Sequence, residues 1–234
     1  MLRNTFAGTG FTQGASNILD IKALADRSTL NFGLIGSGRA YYNIELAYPV
    51  PATEIVARDE GFFISTEYYD AREYARTRGE KADEYAEYQQ GRKNLRDLKY
   101  PKDIREYLKA VKTPKVGQLL TVECRIITGE DRDYVALESL VPSGTEVVNT
   151  RLATETQVGA DKVYDWEKPF GNEDFRDDRY FAYAQTLRAG DYTGSFTIRV
   201  THAGEFMIPP TRVFEFNTPE VFGQTAGKEM KVGE

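Results

Sequence analysis

The sequence predicts a mainly β protein, an antiparallel β-sandwich carrying a charged helical insertion. Three observations point there. Short segments alternate apolar and polar residues with a period of two, which places successive side chains on opposite faces of a sheet. Gly, Pro and Asp punctuate those segments without alternating helical patterns, as in stacked antiparallel layers rather than βαβ units. Tyr (15) and Phe (13) dominate the aromatic residues against a single Trp, a balance that suits pleated, half-buried surfaces.

In chain order, Tyr42, Ile44, Leu46 and Tyr48 alternate with Tyr41, Asn43, Glu45 and Ala47. Pro49 and Pro51 end that strand, because proline cannot donate to a ladder. Gly61–Tyr69 repeats the pattern, with Phe62, Ile64 and Tyr68 on one side and Ser65 and Glu67 on the other. Leu120, Val122, Cys124 and Ile126 alternate with Thr121, Glu123 and Arg125, and Gly129–Asp133 turns the chain into Tyr134–Leu140. Phe196, Ile198 and Val200 alternate with Ser195, Thr197, Arg199 and Thr201, before Ala203-Gly204 turns into Phe206–Ile208.

The stretch from Asp70 to Lys112 differs. Of its 43 residues 21 are charged, 12 basic and 9 acidic, so it is +3 while the remainder is −9. Ile104, Tyr107, Leu108 and Val111 fall at i, i+3, i+4 and i+7, which predicts a helix. Asp103 and Glu106 read as its capping box, and Thr113-Pro114 as its stop. Upstream, Tyr85, Tyr88, Leu95 and Leu98 predict a second helix, weakened by Gly91 and ended before Pro101. Mixed-sign charge fits solvated helix faces better than an anion-binding site.

Composition removes several classes of function. The chain has 234 residues, 41% hydrophobic and 28% charged, enough for a globular core. A net charge of −6 opposes broad nucleic-acid binding. No run approaches the roughly 18 apolar residues of a membrane span, and Met1–Phe6 opens without a basic region leading into an apolar one. Cys124 is the sole cysteine, so neither an internal disulfide nor a cysteine-built zinc cage is expected. On the apolar side of its strand it reads as a small core residue rather than a nucleophile. His202, the sole histidine, closes a strand and makes a poor metal ligand by itself.

Arg176-Asp177-Asp178-Arg179 is the densest charge cluster. It lacks calcium-loop spacing, and its arginines compete for its carboxylates, so an ion-pair cluster leading into the strand Tyr180–Leu187 is expected. Gly36-Ser37-Gly38 lacks the lysine and spacing of a phosphate loop and reads as a turn. No catalytic, cofactor or metal constellation emerges, and no enzyme is expected.

Several segments together carry a resemblance. They are Tyr41–Leu46, Glu60–Tyr69, Leu140–Asn149, Arg176–Arg179, Gly204–Pro210 and Pro219–Gly223. In this order they resemble the carboxy-terminal region of bacterial alpha-2-macroglobulin family proteins. The resemblance implies a partial CUB-like β segment over residues 1–57. Residues 58–234 would form the last macroglobulin-like β-sandwich, with the helical insertion at about 70–112. The family traps peptidases when cleavage of a bait region triggers rearrangement, and an activated Cys-Gln thioester can then acylate the attacker. This chain has no Cys-x-Glu-Gln motif, since Cys124 precedes Arg125-Ile126-Ile127.

What the resemblance implies is therefore a non-catalytic terminal module in the periplasm or cell envelope. It would dock onto a thioester-type domain and the CUB half, and meet target peptidases only indirectly. Thioester-bearing relatives carry a tail resembling Glu-x-Met-Tyr-x-Pro-Glu, whose Met-Tyr pair shields the thioester from water. Phe216 and Asn217 stand at those positions here, followed by Pro219 and Glu220. These four are the expected partner-binding residues. Asn217 is short and polar, which counts against thioester shielding. For Phe216, ordinary strand core stands beside the contact role. The alternative function is a free-standing sandwich that binds carbohydrate or cell-wall polymer through tyrosine stacking.

Overall fold

The computed structural model describes residues 50–99, 103–149 and 170–234, with isolated positions before residue 50. The expected strand at Ala40–Pro49 lies largely outside the described residues, as does most of the CUB-like segment 1–57, and the Gly36-Ser37-Gly38 turn lies wholly outside. Val50–Glu234 forms one compact unit.

Twelve strands and one α-helix are described. They run β1 (Arg58–Glu60), β2 (Phe63–Asp70), α1 (Ala71–Gln89), β3 (Leu119–Thr128), β4 (Arg132–Leu140) and β5 (Thr145–Val148). There follow β6 (Asn172–Arg176), β7 (Arg179–Leu187), β8 (Gly190–Val200), β9 (Gly204–Ile208), β10 (Thr211–Glu215), β11 (Phe222–Gln224) and β12 (Lys228–Val232). One sheet has the order β2-β3-β8-β5, a second β1-β11-β10-β4-β7-β6, and β12 and β9 form a ribbon. All pairings between these strands are antiparallel. The sequence expectation of a mainly β antiparallel sandwich with a helical insertion is what the chain adopts.

Alternation builds the core. Leu120, Val122, Cys124 and Ile126 of β3 and Phe196, Ile198 and Val200 of β8 are buried in one layer. They face Val135 and Leu137 of β4, Tyr180, Ala182 and Ala184 of β7, and Val213 of β10 in the other. Tyr180 bridges the layers: its ring stacks on Phe196 with centroids 4.5 Å apart and planes 14° from parallel. Its hydroxyl donates to Glu173 Oε1 at 2.6 Å, so the phenol is buried with its polar end satisfied.

The insertion corrects the expected helices. The segment expected to be helical over Ile104–Val111 makes only a single 3-10 turn, Ile104–Glu106, with Asp103 accepting from the Arg105 amide at 3.0 Å. Pro101 and Pro114 leave too short a stretch between them to nucleate a helix. The real helix is α1, which starts where Asp70 accepts from the amides of Arg72 and Glu73 at 3.1 and 3.2 Å. It stops before Gly91, and Leu95–Asp97 is a separate 3-10 turn. Within α1, Ala71, Tyr74 and Thr77 are buried, and no later helical residue is. The proximal half thus packs on the four-stranded sheet, while the distal half is solvated. Glu84 accepts from Lys93 Nζ at 2.7 Å and from the Lys99 amide at 2.8 Å, folding the return segment back along the helix.

One consequence reverses the polarity read from β3. Glu123 sits on the polar side of the alternation, yet it is 3% exposed because α1 covers that face. Tyr74 Oη donates to its carboxylate at 2.6 Å, and Arg105 Nε lies 3.7 Å away while also binding Asp103. Burial raises the Glu123 pKa, and the Tyr74 hydrogen bond and the Arg105 charge only partly oppose it. A carboxyl whose folded pKa is raised binds its proton more tightly folded than unfolded. The fold therefore carries a penalty above the folded pKa, and that penalty disappears as pH falls below the ordinary glutamate range. Glu123→Gln is expected to melt above the parent at pH 8, with the gap closing on acidification. A variant that melts lower throughout would show that the Arg105 attraction outweighs burial.

Candidate functional site

The four expected partner-binding residues come together on one hairpin tip. The chain leaves β10 at Glu215, loops through Phe216–Val221 and returns as β11. The Val221 amide donates to the Thr218 carbonyl at 2.8 Å, and the Glu215 amide to the Val221 carbonyl at 3.1 Å. That closure leaves Asn217, Pro219 and Glu220 exposed. Phe216 is 67% exposed, so its side chain is not strand core.

The neighbouring strand β4 adds a residue that the sequence pattern did not disclose. The Phe216 amide donates to the Tyr134 carbonyl at 2.9 Å. Tyr134 is 55% exposed and has φ +54°, the sole non-glycine residue at positive φ in the described chain. A bulky L-residue in that region costs about 1–2 kcal/mol. β7 shifts its alternation opposite this point, with Gln185 and Thr186 both exposed before Leu187 is buried. Tyr134→Gly is therefore expected to raise Tm by about 2–4 °C. A lower Tm would show that the exposed ring contributes more than the backbone strain costs.

Beneath the tip the structure is closely held. Arg132 Cζ lies 5.6 Å from the centroid of the buried Phe62 ring. Its Nη1 is 3.7 Å from Glu215 and its Nη2 3.2 Å from Glu130, while its buried Nε has no hydrogen-bond partner. Gly61, at φ +105°, lets the β1–β2 link pass under the loop, where an added Cβ would meet Val221 Cγ1 at 2.9 Å. The tip is thus anchored at its base and bare at its end: Phe216 and Tyr134 present apolar area on a preorganised support. Such a surface can dock a partner at little ordering cost.

The other singled-out residues lie elsewhere. Cys124 is fully buried, and burial pushes its thiol up to about 12. His202 is exposed, with Nδ1 2.9 Å from Thr201 Oγ1. Arg176–Arg179 forms the β6–β7 turn as an ion-pair cluster: Arg176 binds Asp174 at 2.8 Å, and Arg179 binds both Asp178 and Glu138 at 2.8 Å. Among the described residues, no group of His, Cys, Asp and Glu could hold a metal ion, and no helix is long and apolar enough to cross a membrane.

The family model of the bacterial alpha-2-macroglobulin MG10 domain matches residues 71–220, well over half of the chain. The chain belongs to the bacterial alpha-2-macroglobulin family. The match begins at the first residue of α1 and spans the insertion, β4 and most of the Phe216 loop. A Nostoc sp. alpha-2-macroglobulin homolog is 32% identical over 120 residues, which are 51% of this chain and 6% of that protein. Circularly permutated Ras protein 2 of Dictyostelium discoideum is 32% identical over 111 residues, 47% of this chain and 2% of that one. Among solved structures, Escherichia coli alpha-2-macroglobulin activated by porcine elastase matches at a TM-score of 0.55 and 15% identity, covering 76% of this chain and 14% of that one. That last likeness speaks for the macroglobulin-like fold alone. The chain therefore spans a small fraction of the length of the relatives it matches.

Proposed function

We propose that this macroglobulin-like domain is a non-catalytic terminal module of a bacterial alpha-2-macroglobulin-like peptidase trap in the periplasm or cell envelope. It docks through the β10–β11 tip onto the other domains of the assembly, a thioester-type domain and a CUB-type domain whose return half is residues 1–57. Residues 58–234 form the docking module, and target peptidases meet it only indirectly.

The observation that carries this reading is an exposed Phe216, beside an exposed and strained Tyr134, on a hairpin fixed at its base. Strain retained at an exposed aromatic residue is characteristic of contact sites. Asn217 takes the place of a shielding aromatic residue, so the tip serves as a latch rather than a water seal. Full burial of a Phe side chain contributes about 1.5–3 kcal/mol. Phe216→Ser is accordingly expected to weaken binding to an immobilised thioester-type domain of a bacterial alpha-2-macroglobulin by roughly 10–100-fold, with an unchanged melt. Equal binding by parent and variant would remove the tip from the interface.

A further inference from the structure

The outer face of the same hairpin's stem holds a guanidinium with no carboxylate of its own. Arg212 projects from β10 with Cζ 5.7 Å from the Phe214 ring centroid and 5.2 Å from that of Phe222. Phe214 is two residues along the strand, and Phe222 is its direct cross-strand partner on β11. The carboxylate directly across from Arg212 on β4 is Glu138. Glu138 is engaged instead by Arg179 Nη1, at 2.8 Å. On the other side stands Gln224, whose side-chain amide donates to the Val56 carbonyl at 3.0 Å. Beyond Gln224, in the same cross-strand row, comes exposed Arg58.

Two aromatic contacts order a guanidinium while leaving its edge donors available, because stacking uses the face of the group and hydrogen bonding its rim. That rim is a planar fork suited to bidentate binding of a carboxylate. Arginine among aromatic side chains is also the composition of interface hot spots. In a chain of net charge −6, Arg212 and Arg58 stand together in one cross-strand row, with the exposed carboxylate of Glu60 in the next row, across from Phe222.

We propose that Arg212, ordered by Phe214 and Phe222, is the anchor for an aspartate or glutamate side chain presented by the docking partner. The proposal rests on the docking reading above and gives the partner its chemistry: an apolar seat for Phe216 and a carboxylate for Arg212.

The test has two arms. In the first, the full chain is labelled at its arginine side chains and titrated with a capped aspartate, acetyl-aspartyl-methylamide, while Nε–H resonances are followed by NMR. The Arg212 resonance is expected to reach half-saturation at about fivefold lower concentration than that of Arg188, an exposed arginine without ring contacts. Phe222→Leu is expected to remove that advantage. An Arg212 response no tighter than that of Arg188, or one tighter for methyl phosphate than for the capped aspartate, would overturn the proposal.

In the second arm, Arg212→Gln is measured against the same immobilised thioester-type domain. It is expected to lower affinity about tenfold at 50 mM salt and by much less at 500 mM, whereas the Phe216→Ser loss persists at both. A loss for Phe216→Ser with none for Arg212→Gln refutes the carboxylate anchor and leaves the docking reading intact. No loss for either, with Arg212 still favouring the capped aspartate, refutes docking at this face while leaving the carboxylate site.

Discussion

Gly223→Ala is expected to destabilise the domain by about 4 kcal/mol or more, the range reached by severe overpacking. Gly223 lies in β11, paired on one side with Asp59 of β1 and on the other with Val213 of β10. An added Cβ would fall inside hard contact of the Phe62 carbonyl oxygen and 3.0 Å from its carbonyl carbon. The obstacle is backbone, so no rotamer change relieves it. Phe62 cannot retreat either, because its side chain is fully buried against the core with Arg132 over the ring. Denaturant unfolding of the variant should show a large fall in midpoint or no cooperative transition. Gly129→Ala is the matched control: its added Cβ would meet nothing within 4 Å, and a change within about 0.5 kcal/mol is expected there. Similar behaviour of the two variants would mean that the β1–β2 link is free to move.

Tyr180→Ala is expected to cost about 3–5 kcal/mol, because the phenol joins the two layers of the sandwich. One face of the ring meets Phe196 of the opposite sheet at 4.5 Å, and Phe175 of the adjacent strand packs at 5.4 Å. Tyr180→Phe separates the contributions. It keeps both ring contacts and loses only the hydrogen bond to Glu173, for an expected cost of about 1 kcal/mol. A Tyr180→Phe loss as large as that of Tyr180→Ala would place the stability in the Glu173 bond instead of the stack.

Strands with one buried face were legible in the sequence because burial imposes a period of two. Leu120, Val122, Cys124 and Ile126 alternate as expected and all are core. Glu123 was misread for the same reason: periodicity reports which residues share a face, not whether a helix from elsewhere covers the other. The helices failed differently. Ile104, Tyr107, Leu108 and Val111 have helical spacing, but the Val111 amide donates to the Tyr68 carbonyl at 2.7 Å, extending the edge of β2. Tertiary pairing there overrides local spacing. α1, by contrast, buries only three residues near its start, too few to give a strong stripe, and the Asp70 cap that starts it was not among the sequence expectations.

At the candidate site, Phe216, Asn217, Pro219 and Glu220 were picked out by resemblance, and their adjacency on one tip follows from the short loop Phe216–Val221 between β10 and β11. Tyr134 was not legible, since a positive φ at tyrosine has no composition signal. Nor was Arg212, whose isolation depends on which neighbour Glu138 chooses.

The location of Cys124 supplies a means of timing how the molecule opens. Cys124 lies mid-strand in β3, its backbone paired between Thr66 of β2 and Gly194 of β8 and its thiol buried in the core. Fraying at a sheet edge does not uncover it; the two layers must part. Maleimide in excess should therefore modify the native protein only as fast as it unfolds, turning the single thiol into an intrinsic stopwatch for kinetic stability. Every substitution considered above could be ranked on that clock without a dye, tag or engineered probe.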